Sequence, residues 1–141
     1  FLSGYNCSQA SLIAFSDRVN VPINEALKLV QPFGGGMSRL REVCGAVSGG
    51  VFVIGALYGS DESKDYGAKA AVYELTQRYV KRFEAINGSY ICRDLLGLSN
   101  RSSSPTPDYR NKEYYKKRPC ADLVWISAIL VAQIIEEEKR G

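Results

Sequence analysis

The sequence predicts an all-α protein: a single-domain helical bundle of five or six helices around a glycine-rich buried central helix. Three observations lead to this prediction. Apolar residues recur at helical spacing in most segments, and no alternating run bounded by turn residues indicates a β-hairpin. Residues 40–58 are apolar on nearly every side, which is typical of a helix enclosed by others. A chain of 141 residues can bury a sizeable core, so residues 1–141 are predicted to form one domain.

The first two helices are predicted at residues 6–19 and 23–30. The side chain of Asn6 can cap the first helix, and Gln9 at the third helical position completes a variant of the capping box. The second helix follows a proline and is broken by the proline- and glycine-rich segment 32–37.

The next two helices are predicted at residues 40–58 and 63–85. The first contains many β-branched residues, which would also suit a strand, but its length and the spacing of Gly45 and Gly49 favour a helix. The second has apolar residues near one face and charged residues on the others. An Asn-Gly pair ends it, as is common for helices.

A short helix at residues 90–96 and a last helix at 121–139 flank a polar loop at 99–118. A loop of this length is typical of a mobile or a functional segment. Residues 110–118 of the loop carry five basic side chains, one acidic side chain and two tyrosines. The simplest interpretation is a solvated loop, and the alternative is a surface that docks an acidic redox partner.

The composition excludes several classes of function. The chain has no histidine, which excludes histidine bases, Cys–His nucleophiles and histidine-ligated zinc or haem, so no haem is expected. A net charge of +3 is too small to predict a nucleic-acid partner. The longest apolar run, residues 43–59, contains five glycines and is closely flanked by charges. It predicts a buried helix and no membrane span. We expect a cytoplasmic protein, and the sequence leaves a homodimer open.

Four isolated cysteines are the main candidates for chemistry: Cys7, Cys44, Cys92 and Cys120. Each follows a residue that can start a helix: Asn6, Ser38 (six residues before Cys44), Ser89 and Pro119. A helix N-terminus offers unpaired N–H groups and a partial positive charge of about +0.5, which favours a thiolate. We therefore expect all four thiols to be biased toward the thiolate, with at least three of the sulfurs in one pocket.

The sharpest motif is Cys-Gly-Ala-Val-Ser-Gly at residues 44–49. Glycine inside a helix costs about 1 kcal/mol relative to alanine, so Gly45 and Gly49 on one face call for an explanation. A bare strip lets a flat cofactor or another backbone approach closely, and tight helix packing is the structural alternative. Gly35 and Gly36 are predicted to form a sharp turn that shapes the same site. These four glycines are the candidate cofactor-contacting residues.

The chain resembles a known family at residues 4–10, 33–37 and 44–49, and at the lone cysteines Cys92 and Cys120. These elements are similar to those of the C_GCAxxG_C_C family of redox-active proteins. The resemblance implies a redox role for the cysteines without a defined reaction. The family is also similar to the helical part of split-Soret-type cytochromes, and this likeness implies a cysteine-bound iron–sulfur centre.

Three uses of the cysteines remain open. The preferred one is electron transfer or redox sensing with an unidentified partner protein, through an iron–sulfur cluster or a tetrahedral metal ion bound by Cys7, Cys44, Cys92 and Cys120. The second is thiol–disulfide exchange with Cys44 as the attacking thiolate. The third is a non-enzymatic accessory or binding module in which the thiols are structural.

Overall fold

The computed structural model describes residues 4–98, 103–108 and 119–140. Over these residues it forms six helices without a β-sheet: α1 (Cys7–Ile13), α2 (Ile23–Val30), α3 (Gly45–Tyr58), α4 (Tyr66–Asn87), α5 (Cys92–Leu95) and α6 (Cys120–Arg140). A 3₁₀ turn, Gln31–Phe33, and a tight turn, Gly34–Met37, follow α2. The all-α prediction is confirmed.

Helix α3 is the centre of the bundle, as predicted. It contacts α1, α4 and α6, and its buried residues include Ala46, Val47, Val53 and Ile54. Because the helix is apolar on every side, packing a neighbouring helix against any of its faces buries apolar surface and stabilises the fold.

Helix α1 lies directly against the glycine strip of α3. A Cβ atom on Gly49 would collide with the backbone oxygen of Ser8 and would lie 2.7 Å from the Cβ atom of Ser11. Glycine at this position therefore lets two helix backbones approach closely. The close contact fixes where α1 begins relative to α3.

A buried polar contact joins α3, α4 and α6. The hydroxyl of Tyr79 on α4 hydrogen-bonds the hydroxyl of Ser127 on α6, and the Ser127 hydroxyl donates to the carbonyl of Ala46 at 2.9 Å. Both side chains are fully buried. Gly50 makes room for the phenol, since a Cβ atom there would overlap the Tyr79 hydroxyl.

The predicted start of the central helix was wrong by five residues, because α3 begins at Gly45 and not at residue 40. Residues 42–44 pair instead with the segment before α5. The backbone N–H of Cys44 donates to the carbonyl of Tyr90 at 2.9 Å, and that of Cys92 donates to Glu42 at 2.6 Å. Helix α1 is also shorter than predicted and ends at Ile13, where it passes into turns.

Parts of the predicted polar loop 99–118 lie outside the described residues, and so does the whole basic segment 110–118. The described portion, residues 103–108, lies beside the cysteines. Among the helices that the structure describes, none combines the length and the apolar character needed to cross a membrane.

Candidate functional site

All four cysteines stand at helix N-termini. Cys7, Cys92 and Cys120 are the first residues of α1, α5 and α6, and Cys44 is the N-cap of α3. The predicted relation between cysteines and helix starts is therefore present in the fold.

The structure brings the four cysteines to one cavity of about 410 Å³. Cys7, Cys44 and Cys92 are buried free thiols, and Cys120 is half-buried. Residues from distant parts of the chain close the walls, including Gly45, Leu123 and Pro105. Four helix starts and the 103–108 segment thus converge on a single site.

The capping box of α1 aims Cys7 at this cavity. The Asn6 side chain accepts a hydrogen bond from the backbone N–H of Gln9 at 3.0 Å, and the Gln9 side chain accepts one from the Asn6 N–H at 3.1 Å. The Asn6 amide also donates to the carbonyl of Gln31 at 2.9 Å, which ties the start of α1 to the end of α2. Because a Cβ atom on Gly45 would collide with the sulfur of Cys7, this glycine makes room for the Cys7 thiol.

The backbone pairing before α3 and α5 holds Cys44 beside Cys92. The two hydrogen bonds that flank an antiparallel bridge between Val43 and Ile91 fix the relative positions of these cysteines. Gly36 lies directly against Cys92, since a Cβ atom on Gly36 would lie 2.6 Å from the Cβ atom of Cys92.

The turn before α3 has an unusual handedness. Five successive residues have positive φ, namely Gly35, Gly36, Met37, Ser38 and Arg39, with φ between 53° and 72°. Arg41 follows with φ of 63°. This left-handed path turns the chain so that the side chains of Arg39 and Arg41 both line the cavity.

Arg41 contacts the cysteine site directly. It is 4% exposed, its Nη1 atom donates to the sulfur of Cys92 at 3.7 Å, and its Nε atom donates to the hydroxyl of Ser103 at 3.1 Å. Arg39 forms an ion pair with Asp108 at 3.2 Å. The two arginines therefore connect the 103–108 segment to the cavity.

Sequence reasoning missed both arginines. The signal that could have found them is their position, since both lie between the glycine turn and Cys44, and Arg41 falls within the predicted buried helix 40–58. A buried arginine needs a group that compensates its charge, because an unpaired charge is costly to bury.

The predicted bias toward thiolates was wrong for two of the cysteines. Burial raises the pKa of the Cys7 thiol and of the Cys44 thiol. Backbone N–H groups, of Gly35 near Cys7 and of Val47 near Cys44, lower the pKa by a smaller amount. Loss of hydration thus outweighs the helix ends. Both thiols are neutral near pH 7, which counts against Cys44 as an attacking thiolate.

The four candidate glycines have two kinds of position. Gly35 and Gly45 line the cavity, while Gly36 and Gly49 are outside its lining and pack against Cys92 and α1. At all four positions the atoms that approach the glycine closely belong to the protein itself.

The arrangement is unlike that of a single metal ion. Within residues 4–98, 103–108 and 119–140, no three cysteine or acidic side chains are grouped closely enough to hold one ion.

The chain was compared with known proteins. Residues 5–134 match the model of the family described as "Putative redox-active protein (C_GCAxxG_C_C)". An uncharacterized protein from Archaeoglobus fulgidus is 25% identical over 145 residues, which covers 95% of this chain and 87% of the relative. No solved structure gave a significant match. Because the family match spans most of the sequence, including all four cysteines, the chain belongs to the C_GCAxxG_C_C family.

Proposed function

We propose that this protein is an electron-transfer or redox-sensing protein that holds an iron–sulfur cluster between Cys7, Cys44, Cys92 and Cys120. The observation that carries the proposal is that these cysteines line one cavity of about 410 Å³ without meeting at a position for a single ion. Iron–sulfur clusters are bulky groups held by cysteine thiolates from separate positions, so this donor set suits them.

The charges around the cavity support the same proposal. A thiolate-bound cluster is anionic, and Arg39 and Arg41 line the cavity as cations. Backbone N–H groups of Gly35 and Val47 point at the sulfurs of Cys7 and Cys44. Hydrogen bonds to cluster sulfurs and burial are the means by which proteins tune such centres.

The protein's own residues would bind the group, orient it and exclude water from it. When bound, the cluster would supply a one-electron donor and acceptor. The buried neutral thiols of Cys7 and Cys44 would lose their protons on ligation, so loading should release protons. Buried free thiols also suit a reducing compartment, and we place the protein in the cytoplasm with a redox partner protein.

Anaerobic purification followed by reconstitution with iron and sulfide tests the proposal. We expect bound iron and sulfide and a visible charge-transfer absorption. Single replacement of any of the four cysteines by alanine should reduce bound iron to a small fraction of the wild-type amount. Ser11→Ala is the matched control, because Ser11 is a small buried residue outside the cavity lining whose hydroxyl makes no hydrogen bond within the described residues, so the iron content should stay unchanged.

Two results would contradict the proposal. A folded, fully reduced protein that takes up neither iron nor sulfide excludes the cluster. A reversible disulfide that needs only two of the four cysteines would indicate thiol–disulfide exchange instead.

A further inference from the structure

Arg41 carries a buried positive charge, and within the described part of the chain it makes no ion pair. Its two hydrogen-bond partners, the Cys92 sulfur and the Ser103 hydroxyl, are not carboxylates. The acidic side chains nearby are engaged elsewhere: Asp108 pairs with Arg39 at 3.2 Å, and Glu42 pairs with Arg93 at 3.2 Å.

A charge in this position needs an anion. Moving a guanidinium from water to a buried site is unfavourable unless a negative group compensates it. The cavity beside Arg41 is lined by two arginines and one acidic residue, Asp108, so its described walls carry a net positive charge. An anionic group in the cavity would supply the missing partner.

We propose that the Arg41 guanidinium is the built-in counter-charge of the four-cysteine cavity, so that the cavity is an anion site whose occupant lies against Cys92 and Arg41. Under the proposed function, on which the identity of this anion rests, the occupant is the cluster. A small inorganic oxyanion has the charge for the same position. Arg41 is then a positioning residue that also sets the electrostatics of the site.

The counter-charge has a direct effect on redox properties. Reduction adds one negative charge to the occupant, and a nearby cation stabilises the reduced form more than the oxidised form. Arg41 therefore raises the reduction potential of a bound cluster.

The first experiment measures the reduction potential of reconstituted protein. We expect Arg41→Met to lower the potential and Arg41→Lys to restore most of it, because lysine keeps the charge. Ser103→Ala, which removes one hydrogen bond without a charge, should have little effect. Arg93→Met is the matched control: it removes a charge next to Cys92 in sequence, but on a partly exposed side chain paired with Glu42.

The second experiment needs no cluster. Sulfate is titrated into the metal-free protein at constant ionic strength, and binding is followed by thermal stabilisation. Wild-type protein and Arg93→Met should bind sulfate, and Arg41→Met should bind it about tenfold more weakly or worse, the loss expected for one charge-assisted hydrogen bond. Circular dichroism checks folding, and Arg41→Gln replaces Arg41→Met if the latter fails to fold.

The two experiments separate the two proposals. If wild-type protein takes no cluster but sulfate binding depends on Arg41, the cluster fails and the anion site stands. If the cluster forms, the reduction potential of Arg41→Met decides whether Arg41 is the counter-charge. The anion site is overturned if Arg41→Met has the same reduction potential, or the same sulfate affinity, as wild-type protein or Arg93→Met. It is also overturned if wild-type protein binds neither a cluster nor sulfate.

Discussion

Four non-glycine residues between positions 37 and 41 have positive φ. For such residues the left-handed region costs roughly 1–2 kcal/mol each. The backbone is held there by hydrogen bonds across the turn, from the Glu42 N–H to Gly36 at 2.8 Å and from the Ser38 N–H to Gly34 at 2.9 Å. The turn therefore stores strain, and it places Arg39 and Arg41 in the cavity wall.

The strain at Met37 can be measured. Met37 is 44% exposed, so Met37→Gly removes little packing and relieves the left-handed penalty. Glycine also loses more backbone entropy on folding, which offsets part of this gain. We therefore expect the free energy of unfolding to rise by about 0.5–1 kcal/mol in urea titrations. Leu40→Gly is the control, since Leu40 is 45% exposed and is absent from the positive-φ residues. A loss of stability in both variants would contradict a strained turn.

The position of Arg41 in the cavity wall could not be predicted from the sequence, in contrast to the positions of the cysteines. The four cysteines could be found from their spacing and helix starts, but Arg41 becomes a cavity residue only through the left-handed path. Positive φ at non-glycine residues has no reliable sequence signal, because the local preference opposes it. Burial likewise decides the state of the Cys7 thiol, and burial depends on the complete fold.

At the scale of elements, the glycines of α3 have unequal roles although they share one helix. Gly45, Gly49 and Gly50 each face a close neighbour, whereas Gly55 has open space around it. The helices themselves could be predicted from periodicity and caps. The start of α3 could not, because residues before it pair with the segment at Tyr90, which is distant in the chain.

Alanine substitutions in α3 should therefore have opposite effects. Gly49→Ala forces α1 and α3 apart, and we expect a loss of roughly 1–3 kcal/mol in the free energy of unfolding. Gly55→Ala meets nothing within 4 Å and should gain about 0.5–1 kcal/mol from the better helix propensity of alanine. Urea titration measures both. Equal effects at the two positions would show that the close contact with α1 is absent.

At the scale of the whole molecule, Tyr79 connects the three longest helices through its hydroxyl. Burial raises the pKa of this phenol above its ordinary value of 10.0, so the folded protein keeps it neutral. The unfolded chain ionises near pH 10 while the folded chain does not. The stabilising contribution is therefore fully present below pH 10 and is lost as the pH rises above it.

We expect Tyr79→Phe to make stability less dependent on pH above 10. Below that pH the variant should lose about 0.5–1.5 kcal/mol, the usual value of one hydrogen bond. The measurement is the free energy of unfolding as a function of pH. Tyr73→Phe, on the same helix but 62% exposed, is the control. Parallel pH profiles for Tyr79→Phe and wild type would refute a neutral buried phenol.

The positions of the cysteines along the chain have a consequence for biosynthesis. A ribosome delivers Cys7, Cys44 and Cys92 before Cys120, which begins α6. Until α6 is made and docked, the cavity lacks one sulfur and the wall that Leu123 provides. If the earlier helices dock first, the nascent protein has three of the cysteines in place and one open side. Under the proposed function, the cluster would enter the cavity through this open side, without any later unfolding of the finished domain.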